Sequence, residues 1–252
     1  MTARNRLPGL FGLLIVLVGW QIVGMTGLLG PGIAPPAAII AGIVHDGVGF
    51  YGLHVPVTVG TASAGYAWGN LVAISCAALV LTVPALEKLV LQIGIASACI
   101  PLVAIAPILA ACVNGPATSV VMAAVSVFFV TLVGTINGLR RADGYSEDLV
   151  RAYGGGKFAV LRKVQIRYAL PGILTCLKIT VPAAILGAVI GEFMGQQRGL
   201  GAALVVAQQS SDVVRTWGIT LVSSLLTGIG FLLVSAIERI ATPWATSISG
   251  PA

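Results

Sequence analysis

The chain has 252 residues, 57% of them hydrophobic and only 9% charged, with a formal net charge of +6 and a mean hydropathy of +1.01. Soluble domains carry about 25% charged residues, so this composition excludes a water-soluble globular fold. The basic surplus comes without the interleaved basic and aromatic surface that holds nucleic acid, which excludes that partner as well.

Crossing about 30 Å of hydrocarbon takes about 20 apolar residues in a helix. On that criterion the sequence reads as all-α, a polytopic membrane protein with one transmembrane domain over residues 1–252 and six spans. The first is expected near 7–29, behind Arg4 and Arg6. Its apolar run is too long for a secretory signal, whose core is about 7 to 15 residues, so it reads as an uncleaved span. The loop 30–54 holds His45, Asp46 and His54, too sparse a set for metal ligation, and no metal is expected. Spans two, three and four follow near 55–83, 89–113 and 117–139. In the third, Pro101 and Pro107 remove the N–H groups that would bond the carbonyls of Ser97 and Val103, which points to a helix facing a cavity. Cys76, Cys99, Cys112 and Cys176 show no paired metal spacing and read as packing residues.

Residues 140–168 form the most polar stretch of the chain. Ser146 suits an N-cap, Glu147 and Asp148 suit a first turn, and Gly154 suits the left-handed position past a helix end, which predicts a short helix over 147–153. The run Gly154 to Lys157 imitates a phosphate-binding loop. That loop needs a glycine where Arg151 stands and a hydroxyl where Phe158 stands, so a turn between helices is expected and no nucleotide site. Beyond the turn, Phe158, Leu161, Val164 and Tyr168 fall on one apolar stripe flanked by Lys157, Arg162, Lys163 and Arg167. Two readings fit this amphipathic segment: a docking device for a partner, or a helix lying on anionic lipid.

The fifth span, near 169–193, opens at Pro171. Inside it Pro182 removes the N–H that would bond the carbonyl of Lys178, predicting a kink there. Lys178 and Glu192 lie about 21 Å apart along the helix axis and cannot pair directly. Either they line a path or they snorkel to the two membrane surfaces. The loop 194–216 and a sixth span near 217–237 complete the chain. With the N-terminus inside, every Lys and Arg falls on the inner side except Arg198, Arg215 and the in-span Lys178, so both termini are expected to be cytoplasmic.

The stretch EDLVRAYGGGKFAVLRKVQIRYALP, Glu147 to Pro171, resembles the cytoplasmic coupling motif of ATP-binding-cassette importer permeases. Asp148 matches the motif's acid, Gly154 its glycine and Val164 its later apolar residue. Leu149 and Val150 stand at the alanine positions, Arg167 stands where a proline is usual, and Leu170 and Pro171 supply a second L-P. IPLVAIAPI (100–108), FFVTLVGTINGLR (128–140), LPGILTCLKITVPAAILGAVIGEF (170–193) and GLG (199–201) resemble permeases of the nitrate, sulfonate and taurine importer group.

The resemblance implies a permease subunit in the bacterial inner membrane, acting with a second permease, expected to be identical, two ATPase subunits and an external substrate-binding protein. ATP is then used by the partner, and the chain is not an enzyme and carries no cofactor. Coupling falls to Ser146, Glu147, Asp148, Leu149, Val150, Arg151, Ala152, Tyr153, Gly154, Lys157 and Phe158. The path falls to Lys178, Pro182 and Glu192. The cargo class of the resembling group is a small anion such as a sulfonate or a nitrate-like compound, with neutral vitamin precursors also represented. The competing reading is a self-contained secondary transporter or channel. Against it, the sequence shows no inverted repeat and offers only Glu192 as a coupling acid.

Overall fold

The computed structural model describes residues 7–113, 115–140 and 144–243, and every regular element among them is a helix. Arg4, Arg6 and Arg141, which entered the charge reading, lie outside the described residues.

Helix α1 (Leu7–Thr26) ends at Gly27, whose φ of 63° a side chain would resist. Few contacts hold it. Gln21 accepts a hydrogen bond from the N–H of Ala37 at 3.0 Å, and the Trp20 ring meets Trp217 at 5.3 Å. Helix α2 (Pro36–Thr82) begins with proline at its first positions, where the missing N–H has no partner to lose. Gly47, at φ 57° and ψ −164°, interrupts it. The loop expected over 30–54 is therefore largely helical, and His45, Asp46 and His54 sit on α2. Pro36 supplies the helix start and Gly47 the break, while the apolar run between them stays helical.

A short 3-10 turn (Pro84–Leu86) leads to α3 (Glu87–Cys99) and α4 (Leu102–Cys112), which meet at a 97° bend. The expected third span is thus broken at Pro101. Ile100 is extended, at φ −79° and ψ 123°, because the proline ring after it disfavours the helical conformation. Pro101 caps α4 instead of freeing a carbonyl within one continuous helix, and only Pro107 lies inside a helix.

Helix α5 (Pro116–Leu139) is the axis of the bundle: 44% of its most apolar stretch is buried, against 6% for the last helix, Val213–Ala241. Small residues permit this. A Cβ on Gly69 of α2 would stand 2.5 Å from the carbonyl oxygen of Ala124, and one on Gly187 would stand 2.7 Å from that of Met122. These are the close backbone crossings that membrane helices use where lipid offers no hydrophobic drive.

The polar inner stretch forms α6 (Gly144–Ala152) and α7 (Lys157–Val160), then a π turn (Leu161–Gln165) that runs into α8 (Ile166–Phe193). Helices α9 (Leu200–Gln209) and α10 (Val213–Ala241) complete the described chain. The loop expected over 194–216 therefore contains a helix, and α9 buries Leu200, Gly201, Ala202, Ala203 and Ala207. Asp212 caps α10 by accepting from the N–H of Arg215. The Arg215 guanidinium in turn grips Asp46 with two bonds, at 2.9 and 2.6 Å, tying α10 to the outer part of α2.

Four helices are long and apolar enough to cross a membrane, and five if the bent α3–α4 pair counts as one span. The first expected span corresponds to α1, whose apolar run over Phe11–Thr26 falls short of that length among the described residues.

Candidate functional site

The inner segment is built around one glycine turn. The N–H of Gly155 bonds the carbonyl of Val150 and that of Gly154 bonds Arg151, both at 2.9 Å, with Gly154 at φ 79°. This pair of bonds is the Schellman arrangement that closes a helix, satisfying its last carbonyls through one left-handed residue. Gly154 was legible in the sequence as that residue. The start of α6 was not, since the helix begins at Gly144 and places Ser146 inside its first turn instead of at the cap. Glu147 holds the segment together, accepting from Gln165 of the π turn at 2.9 Å and from Arg151 at 3.3 Å.

Tyr145, Leu149 and Tyr153, four residues apart on one face of α6, are 87%, 59% and 86% exposed, and Phe158 is 74% exposed. The apolar stripe expected beyond the turn is split. Val160 and Val164 are buried, whereas Phe158 and Tyr168 point outward. The π turn accounts for this, because its extra residue per turn rotates the side chains away from the 3.6-residue pattern. Ser146 to Gly154, with Lys157 and Phe158, thus form one continuous polar segment with an exposed aromatic and aliphatic face.

That segment runs without a break into the membrane. The helical stretch Lys157–Phe193 is one 37-residue candidate span with Pro171 and Pro182 inside it. Near the carbonyl that Pro182 leaves without its N–H partner, hydroxyls crowd the adjacent backbone. Thr180 donates to the carbonyls of Cys176 and Leu177 at 3.0 and 3.1 Å, and Tyr66 donates to Leu177 at 2.9 Å.

Lys178 is neither free nor at a surface. Its ammonium meets Glu238 of α10 at 2.5 Å, with the two side chains 22% and 18% exposed, and Thr175 donates to the other carboxylate oxygen at 2.7 Å. Sequence reading missed Glu238: it lies one residue past the expected end of the last span, and a partner sixty residues away leaves no periodic trace. A cavity of about 370 Å³ opens one turn outward of this pair, walled by Val59, Ala62, Ser63 and Tyr66 of α2, by Val181 and Ala184 of α8, and by α10. It is almost wholly apolar, with Ser63 and Tyr66 as its polar side chains.

Glu192 has a different setting. It is completely buried, and its carboxylate accepts from Thr58 at 2.8 Å, from Thr61 at 3.0 Å and from the N–H of Gly201 at 3.0 Å. Thr58 accepts from the N–H of Leu200 at 2.8 Å, and Nδ1 of His54 lies 3.0 Å from the carbonyl oxygen of Gly199 and 3.2 Å from its amide nitrogen. Each of these N–H groups belongs to the first turn of α9, where a helix has donors and no partners of its own. The carboxylate also sits at the positive end of the α9 dipole. His54, read from sequence as having no role, is part of this cap.

The family of binding-protein-dependent transport system inner membrane components matches residues 69–247, a stretch that takes in α6, the Lys178–Glu238 pair and Glu192 itself, while its partners Thr58 and Thr61 precede it. The chain belongs to this family. The permease is 29% identical to the formylaminopyrimidine transport permease protein ThiX of Halalkalibacterium halodurans over 94% of its own length and 95% of the relative's. It is 27% identical to the riboflavin transport system permease protein RibX of Chloroflexus aurantiacus, over 93% and 89%. Against the putative aliphatic sulfonates transport permease protein SsuC of Bacillus subtilis it is 26% identical, over 53% and 48%. The permease is thus a multi-pass inner-membrane subunit of an ATP-binding-cassette transporter and not an enzyme, and its family works with ATPase and substrate-binding partners.

Proposed function

We propose that the permease forms the translocation path of an importer and receives force from a pair of separate ATPase subunits through residues 144–158. A second, identical permease completes the path, and an external binding protein delivers the cargo. ATP is hydrolysed by the partner, and the chain itself carries no cofactor. Both termini are cytoplasmic. The observation that carries this reading is the continuity of the helical stretch 157–193. At 1.5 Å per residue it is about 55 Å long, well beyond the about 30 Å of hydrocarbon. Its inner end therefore reaches past the hydrocarbon with the exposed face of α6 attached, while its outer end carries Glu192. A displacement of α6 moves the whole rod.

On this reading Lys178 and Pro182 border the inner end of the path, next in the chain to the Val181 and Ala184 turn that walls the 370 Å³ cavity, and Glu192 shapes its outer end by holding α9. The cargo we assign is a small planar heterocycle of the vitamin-precursor kind. The two relatives matched over nearly the whole chain are named for such compounds, and the in-span cation that an anion would seek is already neutralised by Glu238. A sulfonate or nitrate-like anion is the second reading, favoured by the shorter match to the sulfonate permease. The test is uptake into proteoliposomes holding the permease with its ATPase and binding protein. ATP-dependent accumulation of a formylaminopyrimidine or a flavin is expected, and accumulation of ethanesulfonate alone would reverse the assignment. Uptake that needs no ATP would restore the secondary-transporter reading. Orientation is read independently by single cysteines at positions 157, 198 and 212 in a variant lacking the four native ones. An impermeant thiol reagent is expected to reach positions 198 and 212 from outside, and position 157 only after permeabilisation.

A further inference from the structure

The transport reading places Lys157 in the coupling segment but gives its charge no partner within the chain. The glycine run before it closes α6 and forms no phosphate loop, and the ammonium of Lys157 has no ion-pair or hydrogen-bond partner among the described residues. Beside it lies a cavity of about 500 Å³, larger than the one in the path. Leu81 and Pro84 wall it at the inner end of α2, Phe158 and Leu161 wall it beyond the glycine turn, and Arg151 and Lys157 stand at its polar side. Arg151 is engaged within its own helix, by Glu147 at 3.3 Å and Asp148 at 3.8 Å, so Lys157 supplies the uncompensated charge. The apolar run of α2 ends at Leu81. The cavity therefore sits where hydrocarbon gives way to headgroups, and it has one greasy side and one cationic side.

We propose that this cavity is a binding site for an anionic phospholipid of the inner leaflet. The headgroup phosphate pairs with Lys157, with Arg151 beside it, and an acyl chain lies along Leu81, Pro84 and Leu161. A free phosphate would leave the apolar half of the lining exposed to water, and a zwitterionic lipid would bring its own ammonium beside the cations of Arg151 and Lys157. An anionic lipid satisfies both halves at once. The inference goes beyond the transport reading and shares with it only the inward orientation of residues 144–165. A lipid so placed would bridge the end of α2 and the turn behind α6, and would set how freely α6 moves.

The test titrates the full chain, released in mild detergent, with phosphatidylglycerol, and reads the first retained lipid by native mass spectrometry. Lys157→Gln is expected to weaken retention about fivefold, the effect of one cation facing an anionic headgroup. Lys157→Arg should keep the affinity, and so should Lys163→Gln, since Lys163 does not line the cavity. Phosphatidylcholine should be retained more weakly than phosphatidylglycerol. Equal losses in Lys157→Gln and Lys163→Gln would show a diffuse surface attraction and overturn the site. Displacement of the lipid by inorganic phosphate would overturn it in favour of a free anion. Unchanged lipid retention in Lys157→Gln with weakened ATPase binding would make the cavity a seat for the partner protein. Thiol labelling at position 157 reports orientation separately, so failure of the site and failure of the transport topology are told apart.

Discussion

The Phe193 end of α8 and the Lys157 end of the same rod are built on opposite principles. Around Glu192 the donors and acceptors of α9's first turn are met by side chains that are themselves buried. Around α6 the polar groups are met locally, by Glu147, Arg151 and Gln165, and the large apolar side chains are left outside. A saturated network has one geometry and resists displacement, because each broken bond strands a donor in a dry place. An exposed apolar face has no stake in its position until something covers it. One end of the rod is thus fixed to the permease, and the other leaves an apolar face uncovered.

The largest effect is expected at the fixed end. Glu192→Ala removes the acceptor for Thr58, Thr61 and the N–H of Gly201 together, and stranding such buried donors costs about 3 kcal/mol or more. Thermal unfolding in detergent should show it, with Glu192→Gln less damaging because one oxygen still accepts. A near-normal melting temperature for Glu192→Ala would mean that α9 is not held from this side.

Next comes the ion pair between α8 and α10. Lys178→Met or Glu238→Met alone leaves a partly buried charge without its partner and should cost about 2 kcal/mol or more. The double variant should recover most of that loss, the signature of a pair whose desolvation offsets its attraction. Additive losses in the double variant would break the comparison by making Lys178 a group with a second task, such as contact with cargo.

At the uncovered end, stability and function should separate. Gly154→Val meets a φ of 79° that a β-branched residue resists by about 1 to 2 kcal/mol, enough to tilt a nine-residue helix. Insertion should stay intact while uptake falls relative to ATP hydrolysis in the full assembly. Normal coupling in this variant would remove residues 144–158 from the force path. Tyr153→Ala should have the smallest effect on the melting temperature, under about 0.5 kcal/mol for an exposed side chain, and should still weaken ATPase binding measurably.

Much of this was legible because it is local. Gly154, the prolines of α8 and the polarity of residues 144–165 each declare themselves within a turn or two of chain. The break at Pro101 was readable in principle, since the residue before a proline avoids the helical region, but a continuous apolar run hid it. The helix within 30–54 was hidden in the opposite way, with Pro36 as its start and Gly47 as its break. What the sequence could not show was partnership at a distance. Lys178 with Glu238, Arg215 with Asp46, and Glu192 with Thr58 and Thr61 are set by the packing of α2 and α10 against α8, which no window along the chain contains.

The positions of these partners fix an order in which charges can be quieted as the protein is made. When α8 enters the membrane, Thr58 and Thr61 have already been synthesised, and the N–H of Gly201 follows Glu192 by only nine residues. The glutamate can therefore find its shelter almost as soon as it leaves water. Lys178 has no such company. Its carboxylate arrives sixty residues later, at the far end of α10, so until the last helix is in place the ammonium must be kept wet or screened by lipid phosphate. A chain cut short before α10 would carry that unpaired cation permanently.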